Sequence, residues 1–300
     1  MSLHDEGMSA EALAKRNSYE PEDTPIDWSA IDQIRADAKA GFQPAVDRAI
    51  ERFDLDLDDI EVGGVECLRV MSRSGGMSNG RLMYVFGGAF IVGDPETDLP
   101  VAGALASACG VEVIAPRYRL APEHPAPAAS DDCLAVYQAL AASSGRLLVA
   151  GESAGGNLGL LTVQRAIVDG LPSPAAMALL SPAVDLRTDR ELYGTVVDPS
   201  LSHQRIFDVA SVYPGDFALD DPAVSPLFGS MAGLPPTIMT TGTRDHLLAM
   251  TLRLFRRMRR AGIEVDCNVW PGMWHVFEFY DELPEAEESL NEIAAFLSAR

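Results

Sequence analysis

The sequence predicts an α/β protein built on a mostly parallel sheet with helices on both faces. Two observations lead to that prediction. From residue 82 onward, short apolar runs alternate with helical patterns, which is typical of parallel strands joined by crossover helices. In the middle of this alternation, a Gly-x-Ser-x-Gly sequence at 151–155 lies between an apolar strand and a helix. That position is typical of a nucleophile elbow.

Composition and charge indicate a globular protein that does not bind nucleic acid. Hydrophobic residues make up 47% of the 300 residues, as in ordinary globular chains. The formal net charge is -21 at pH 7, which argues against a nucleic-acid partner because a phosphate-binding surface must be basic. The one basic run, at 253–260, has the helical spacing of a solvated face. An acidic chain also repels anionic substrates at low salt, which favours neutral ones.

The cysteines are widely scattered, without a C-x-x-C pair or a metal-ligand spacing, at Cys67, Cys109, Cys133 and Cys267. We therefore expect reduced core thiols and no metal site. The first residues lack the apolar run of a signal peptide, and no apolar run reaches the ~18 residues of a membrane helix. These features predict a cytoplasmic protein without a membrane span.

The N-terminal region differs in pattern from the rest of the chain. Residues 1–60 are rich in Ala, Asp, Glu and Arg and show helical patterns at 9–18 and 29–53. Because this region lacks strands of its own, we expect a helical cap segment rather than a separate domain. The catalytic domain is predicted to span 61–300.

Eight strands are expected in the sheet. Strand-like runs within 62–72, with a flexible Gly- and Ser-rich turn at 73–80, indicate a hairpin. The later strands are predicted at 82–86, 111–116, 146–150, 176–180, 237–241 and 263–269, with helices at about 97–109, 130–142, 156–169, 246–261 and 285–299. One connection, 187–219, is too long for a simple link, and we interpret it as a second cap insertion.

The Gly-x-Ser-x-Gly sequence indicates nucleophilic chemistry. Gly151 and Gly155 let the chain turn sharply enough to hold Ser153 in a strained conformation. The hydroxyl then points outward at a helix N-terminus, where negative charge is favoured. Acyl transfer by serine also needs a base, a carboxylate that orients the base, and donors for the oxyanion.

Two later residues have the position that such a base and carboxylate require. Asp245 follows the strand at 237–241 and its turn, and His275 follows the next strand, in the order Ser, Asp, His. Parallel sheets place their sites at this edge. A lone Asp after a strand is often a helix N-cap, and a lone His is often structural, so both alternatives stay open here. Of the five histidines, His275 fits the order and position best.

Upstream, the strand that ends at Phe86 continues into small residues, as a loop must when its backbone N–H groups point at a ligand. Together the motifs resemble the hormone-sensitive-lipase-like, bacterial family IV esterases of the α/β-hydrolase fold. Residues 87–90 resemble that family's H-G-G-G-[FW] oxyanion loop, and 118–123 its Y-R-L-A-P-E segment. Residues 151–156 match the G-[DE]-S-A-G-G elbow, and 272–275 match the motif around the triad histidine.

The resemblance covers about 62–300 and implies a lipase-like carboxylesterase without a cofactor, which forms an acyl-enzyme on neutral esters of short to medium acyl chains. Ser153 would be the nucleophile, His275 the base and then the acid, and Asp245 the residue that fixes the imidazole tautomer. The implied oxyanion hole consists of Gly87, Gly88, Ala89 and Ala154.

The oxyanion loop carries two further expectations. By the family pattern, the donors are the backbone N–H groups of Gly88, Ala89 and Ala154. A GGAX version of the loop, as in this chain, is associated in this family with esters of tertiary alcohols.

Two positions depart from the family pattern. Phe86 stands where the family usually has His, and Arg117 stands where it usually has Asp. Because both polar residues are replaced at once, we expect the two positions to be in contact, with the Arg117 guanidinium against the Phe86 ring.

Other functions on the same fold stay open. The same triad would serve a lactone, acetylated-sugar or aryl-formamide hydrolase. A non-catalytic small-molecule receptor is disfavoured because its plant examples lack the triad histidine, which this chain has at His275. The sequence also leaves a homodimer open.

Overall fold

An eight-stranded sheet organises the fold in the computed structural model, which describes residues 7–19, 24–74, 80–143, 145–188 and 197–300. The strands are β1 (Leu55–Val62), β2 (Val65–Ser72), β3 (Gly80–Val85), β4 (Glu112–Pro116), β5 (Arg146–Glu152), β6 (Ala176–Leu180), β7 (Thr237–Gly242) and β8 (Val265–Trp270). Their spatial order is β1-β2-β4-β3-β5-β6-β7-β8. β2 runs antiparallel to both of its neighbours, whereas β3 to β8 are parallel. The predicted α/β fold with a mostly parallel sheet is confirmed.

The helices are α1 (Ala10–Asn17), α2 (Ile31–Arg52), α3 (Leu99–Cys109), α4 (Ala128–Ala141), α5 (Ser153–Val168), α6 (His203–Val212), α7 (Leu248–Arg260) and α8 (Pro284–Ser298). α3 packs against α2 and α8, and α4 packs against α5. The main core lies between these helices and the central strands, where Leu82, Leu148 and Leu179 are fully covered. A strand that is covered on both faces needs apolar residues at every position, so its sequence is a continuous apolar run.

The N-terminal part of the sheet differs from the prediction. β1 occupies Leu55–Val62, so the expected boundary of the helical segment at residue 60 falls inside a strand. Four of its eight residues are acidic, and such residues are uncommon in strands. The hairpin was predicted, but its turn is at Gly63 and Gly64, which have φ of 63° and 80°. Within the expected turn at 73–80, residues 75–79 lie outside the described residues.

Side-chain contacts join the two predicted cap segments to the rest of the fold. In the first segment, Arg35 on α2 pairs with Glu123 at 2.7 Å. In the insertion at 187–219, α6 is followed by Tyr213, whose ring stacks on Phe90 with centroids 3.6 Å apart. Residues 189–196 of the insertion lie outside the described residues.

Candidate active site

The turn between β5 and α5 carries Ser153. This residue has φ of 51°, a left-handed conformation that is costly for a non-glycine residue, and α5 begins at it. A Cβ on Gly151 would lie 2.5 Å from the carbonyl oxygen of Gly155, and a Cβ on Gly155 would lie 1.9 Å from that of Val85. Only glycine fits at these two positions. Ser153 is 9% exposed, so it is more enclosed than the solvent-facing elbow that the sequence suggested.

Asp245 lies on the loop that follows β7. Its Oδ2 accepts a hydrogen bond from Thr241 Oγ1 at 2.8 Å, and its Oδ1 accepts one from the Leu247 N–H at 2.8 Å. The second bond closes the turn before α7, so Asp245 stabilises its own loop. The loop after β8 lies directly against this one, because a Cβ on Gly242 would be 2.0 Å from the Met273 carbonyl oxygen.

His275 lies on the loop after β8 and connects the other two side chains. Its Nδ1 is 3.2 Å from Asp245 Oδ1, and its Nε2 is 2.9 Å from Ser153 Oγ. With the proton on Nδ1 facing the carboxylate, Nε2 is left to accept the hydroxyl proton. The structure therefore brings together the three residues that the sequence singled out.

The charges around His275 favour its protonated form. Burial by itself lowers the pKa of His275, but the Asp245 carboxylate, aided by Asp198 and Glu278, outweighs burial and raises that pKa above its usual value. Burial acts to raise the pKa of Asp245, but the charge and hydrogen bond of His275 lower it overall. The lowered pKa favours the ionised form of Asp245, next to the ring nitrogen of His275.

The loop after β3 presents backbone N–H groups near the nucleophile. Gly88, Ala89 and Phe90 have φ of 98°, 56° and 63°, and the Gly88 carbonyl accepts from the Val92 N–H at 3.0 Å. Among the residues that the structure describes, no protein group accepts a hydrogen bond from the N–H of Gly88, Ala89 or Ala154. Three donors are thus left for an oxyanion.

Gly87 lies in a different environment from its neighbours. Its N–H is close to the carboxyl groups of Asp98 and Glu152 and acts to lower the pKa of both. A Cβ on Gly87 would lie 1.8 Å from Glu152 Oε1. Gly87 therefore packs directly against a buried carboxyl group, and its place in the expected oxyanion hole stays a prediction.

Asp98 and Glu152 form a buried carboxyl pair beneath the oxyanion loop. They are 4% and 5% exposed, they share a hydrogen bond, and Tyr84 Oη donates to Asp98 Oδ2 at 2.9 Å. Burial raises the pKa of Asp98 to about 7. Burial and the Asp98 charge raise the pKa of Glu152 well above its usual range. Both carboxyl groups therefore favour their protonated forms more than a free carboxyl group does.

Tyr118 fixes the start of the same loop. Its Oη donates to the Phe86 carbonyl oxygen at 2.9 Å, and its ring stacks on the Phe86 ring with centroids 4.1 Å apart. Arg117 instead pairs with Glu96 and Asp59. The predicted contact between Arg117 and Phe86 is therefore wrong, because Tyr118 covers the ring and two carboxylates hold the guanidinium.

Sequence reasoning missed three buried carboxyl groups near the site. Glu152 carried a signal, since it is a charged residue at the end of an apolar strand, directly before Ser153. Asp98 directly precedes α3, at the start of the predicted helix, where an acidic residue is ordinary and does not indicate burial. Asp198 lies in an irregular segment, where no periodic pattern marks a residue as buried. Asp198 accepts a hydrogen bond from the backbone N–H of His275 at 3.2 Å.

Other kinds of site are absent from the described part of the chain. No group of three or more His, Cys, Asp or Glu side chains there could hold a metal ion. The four cysteines are free, as expected. No described helix has both the length and the apolar character that a membrane crossing requires.

The architecture and the site define an α/β hydrolase, in which a strand-serine-helix turn faces free N–H groups at the carboxyl edge of a parallel sheet. The alpha/beta hydrolase fold family matches residues 82–279. An acetyl-hydrolase of Streptomyces hygroscopicus is 32% identical over 263 residues, which cover 84% of this chain and 87% of the relative. An esterase of Acinetobacter venetianus is 32% identical over 233 residues, which cover 73% of this chain and 74% of the relative.

Solved structures give the same result. A hormone-sensitive lipase from a metagenome library aligns with a TM-score of 0.82 and 33% identity, over 96% of this chain and 95% of that one. This chain therefore belongs to the alpha/beta hydrolase family, as a member of its hormone-sensitive-lipase-like esterases. It is an enzyme that hydrolyses ester bonds.

Proposed function

We propose that this carboxylesterase works through a Ser153–His275–Asp245 triad and an acyl-enzyme, on neutral esters of short to medium acyl chains. The observation that carries the proposal is the hydrogen-bonded line of the three side chains, 2.9 Å and 3.2 Å long in its two steps, at the edge of a loop with unoccupied N–H donors. Each component that acyl transfer needs has a counterpart in this arrangement.

In the first half of the reaction, His275 Nε2 takes the Ser153 proton while Oγ attacks the ester carbonyl carbon. The carbonyl oxygen becomes an oxyanion, which accepts hydrogen bonds from the N–H groups of Gly88, Ala89 and Ala154. Donors that already point at the developing charge lower the barrier, because they need not reorient during the reaction. Asp245 stabilises the imidazolium that forms at the same time.

The intermediate then collapses. The carbon–oxygen bond to the alcohol breaks, and His275 returns its proton to the leaving oxygen, so that the acyl group stays on Ser153. In the second half, a water molecule gives a proton to His275 and attacks the acyl carbon through the same oxyanion hole. The acid leaves, and Ser153 regains its proton.

The preference for neutral esters is supported by charge. The net charge of -21 raises the energy of an anionic substrate near the protein, especially at low salt. A short acyl group is consistent with the acetyl-hydrolase name of one relative.

Ser153→Ala tests the triad. We expect loss of more than about 1,000-fold in kcat, with residual turnover only from binding and the oxyanion donors. The variant should fold normally, because it removes a single atom from a residue outside the apolar core. Ser143→Ala, at the exposed end of α4, is the matched control and should behave as the wild type. Retention of a tenth of wild-type turnover by Ser153→Ala would contradict the proposal.

A further inference from the structure

A second carboxylate lies behind the proposed base. Asp198 belongs to the insertion at 187–219 and is 3% exposed. Its Oδ2 accepts hydrogen bonds from the backbone N–H groups of His275 and His246, both at 3.2 Å. His246 directly follows Asp245 in the chain. This one oxygen of Asp198 therefore contacts both the loop that carries Asp245 and the loop that carries His275.

The other oxygen of Asp198 holds its own segment in place. Oδ1 accepts from the N–H and the hydroxyl of Ser200 at 2.9 and 3.0 Å, and from the Leu201 N–H at 3.1 Å. Ser200 Oγ also lies 3.3 Å from the His275 carbonyl oxygen, so its one proton can be donated to either of the two oxygens. The carboxylate cannot swing away without leaving several N–H groups unsatisfied, so its position is fixed.

We propose that Asp198 is a positioning residue for the ester hydrolysis reaction, and that it holds the His275 loop in register with Asp245 and Ser153. This inference rests on the proposed function, since His275 must be the base for its position to affect turnover. A displacement of about 1 Å in a catalytic group can cost ~100-fold in rate. The carboxylate also places a second negative charge beside the imidazolium of the transition state.

The charge of Asp198 should affect the pH dependence of the rate, which a purely structural contact would leave unchanged. The titratable groups that face it are Asp245, His246, His275, Tyr19 and Tyr280. Burial, with the Asp245 charge, raises the pKa of Asp198 to about 6, so the group is mostly ionised at neutral pH. The ionised carboxylate contributes to the raised pKa of His275.

Asp198→Asn is the variant that tests the inference. It keeps the side-chain size, but it removes the charge and turns one acceptor atom into a donor that faces buried N–H groups. We expect kcat to fall about 10- to 100-fold with little change in KM. The acid limb of kcat/KM should also move to lower pH, because the pKa of His275 falls when the carboxylate is removed.

Asp185→Asn is the matched control. Asp185 is a buried carboxylate close to the same insertion, and its partners are Arg187 and Arg253 rather than a catalytic loop. Its kcat and acid limb should stay at wild-type values. Titration of Ser153 with a fluorophosphonate gives the concentration of active molecules in each variant. Each kcat is then calculated per active molecule.

An acid limb that stays in place in Asp198→Asn, or a fall in kcat that Asp185→Asn reproduces, overturns the inference. If Asp198→Asn does not fold, Ser200→Ala is measured in its place: a several-fold fall in kcat at unchanged Tm supports the inference, and an unchanged kcat overturns it. Failure of the proposed function gives a different result, because Ser153→Ala would then remain active.

Discussion

At the scale of single residues, we expect His275 to determine how the rate depends on pH. A general base must be neutral to accept a proton, and the carboxylates around His275 raise its pKa above the usual ~6.5. We therefore expect kcat/KM to rise with pH through a midpoint above about 6.5 and then to level. Assays with p-nitrophenyl acetate from pH 5 to 9 at constant ionic strength test this. Asp245→Asn should move the midpoint downward, and a flat wild-type profile would exclude His275 as the base.

The buried carboxyl pair makes stability depend on pH in the opposite way to most carboxyl groups. The folded protein raises the pKa of Asp98 to about 7 and that of Glu152 well above its usual range, so it binds more protons than the unfolded chain. Stability from this source is complete below the unfolded pKa of ~4 and is lost as pH rises through the folded values. We expect Tm to fall less between pH 5 and 8 in Glu152→Gln than in the wild type.

The control for this measurement is Glu61→Gln, which removes an exposed carboxyl on β1. Its Tm should follow the wild-type curve, because it leaves the buried pair intact. Identical pH dependence in Glu152→Gln and the wild type would show that the pair does not titrate in this range.

Single residues also show how far sequence reasoning reaches. Ser153, Asp245 and His275 could be found because each follows an apolar strand and belongs to a local pattern. Asp198 could not, since its importance comes from contact with residues 48 and 77 positions away. Nothing local in the sequence marks such a contact.

At the scale of elements, we expect the loop after β3 to control the space on the alcohol side of the ester. The loop has small residues at 87–89, with positive φ at Gly88 and Ala89. A tertiary alcohol places three carbons beside the leaving oxygen, so room next to this loop affects its transition state directly. We expect Ser153-dependent hydrolysis of tert-butyl acetate, slower than that of n-butyl acetate. Gas chromatography of the released alcohol measures both.

Ser153→Ala provides the blank for the tertiary ester, which also hydrolyses spontaneously. If the wild type cleaves n-butyl acetate but leaves tert-butyl acetate at the blank rate, then the association of a GGAX loop with tertiary esters does not apply to this chain. Tyr118 would then be the first residue to examine, because it fixes the loop through the Phe86 carbonyl oxygen and ring.

Elements in the middle of the sheet could be predicted within a few residues, but those at its N-terminal edge could not. β6 and residues 148–151 of β5 are covered on both sides, so their sequences are unbroken apolar runs. β1 has a neighbour on one side only, and its solvent-facing acidic residues hide the strand pattern. In the same way, α5 could be predicted because its sequence has a helical pattern, whereas the irregular chain around Asp198 has no such pattern.

At the scale of the whole molecule, net charge sets which esters reach the site. At -21, the protein should repel an anionic ester over a Debye length of ~30 Å at 0.01 M salt, but of only ~3 Å at 1 M. We expect the ratio of kcat/KM for the monobutyl succinate anion to that for n-butyl butyrate to rise with added NaCl. The neutral ester controls for any direct effect of salt on the enzyme. A ratio that does not change with salt would mean that local groups, rather than net charge, govern this selectivity.

Ser153 and His275 are 122 positions apart in the chain, and this separation also has a consequence for the synthesis of the protein. A chain that emerges from the ribosome exposes its nucleophile long before its base, and the loop that carries the base is closed by Ser181 through the Val276 N–H at 3.1 Å. Contacts between distant residues form late in folding. We therefore expect an unfinished chain to lack esterase activity until the loop that carries His275 has docked.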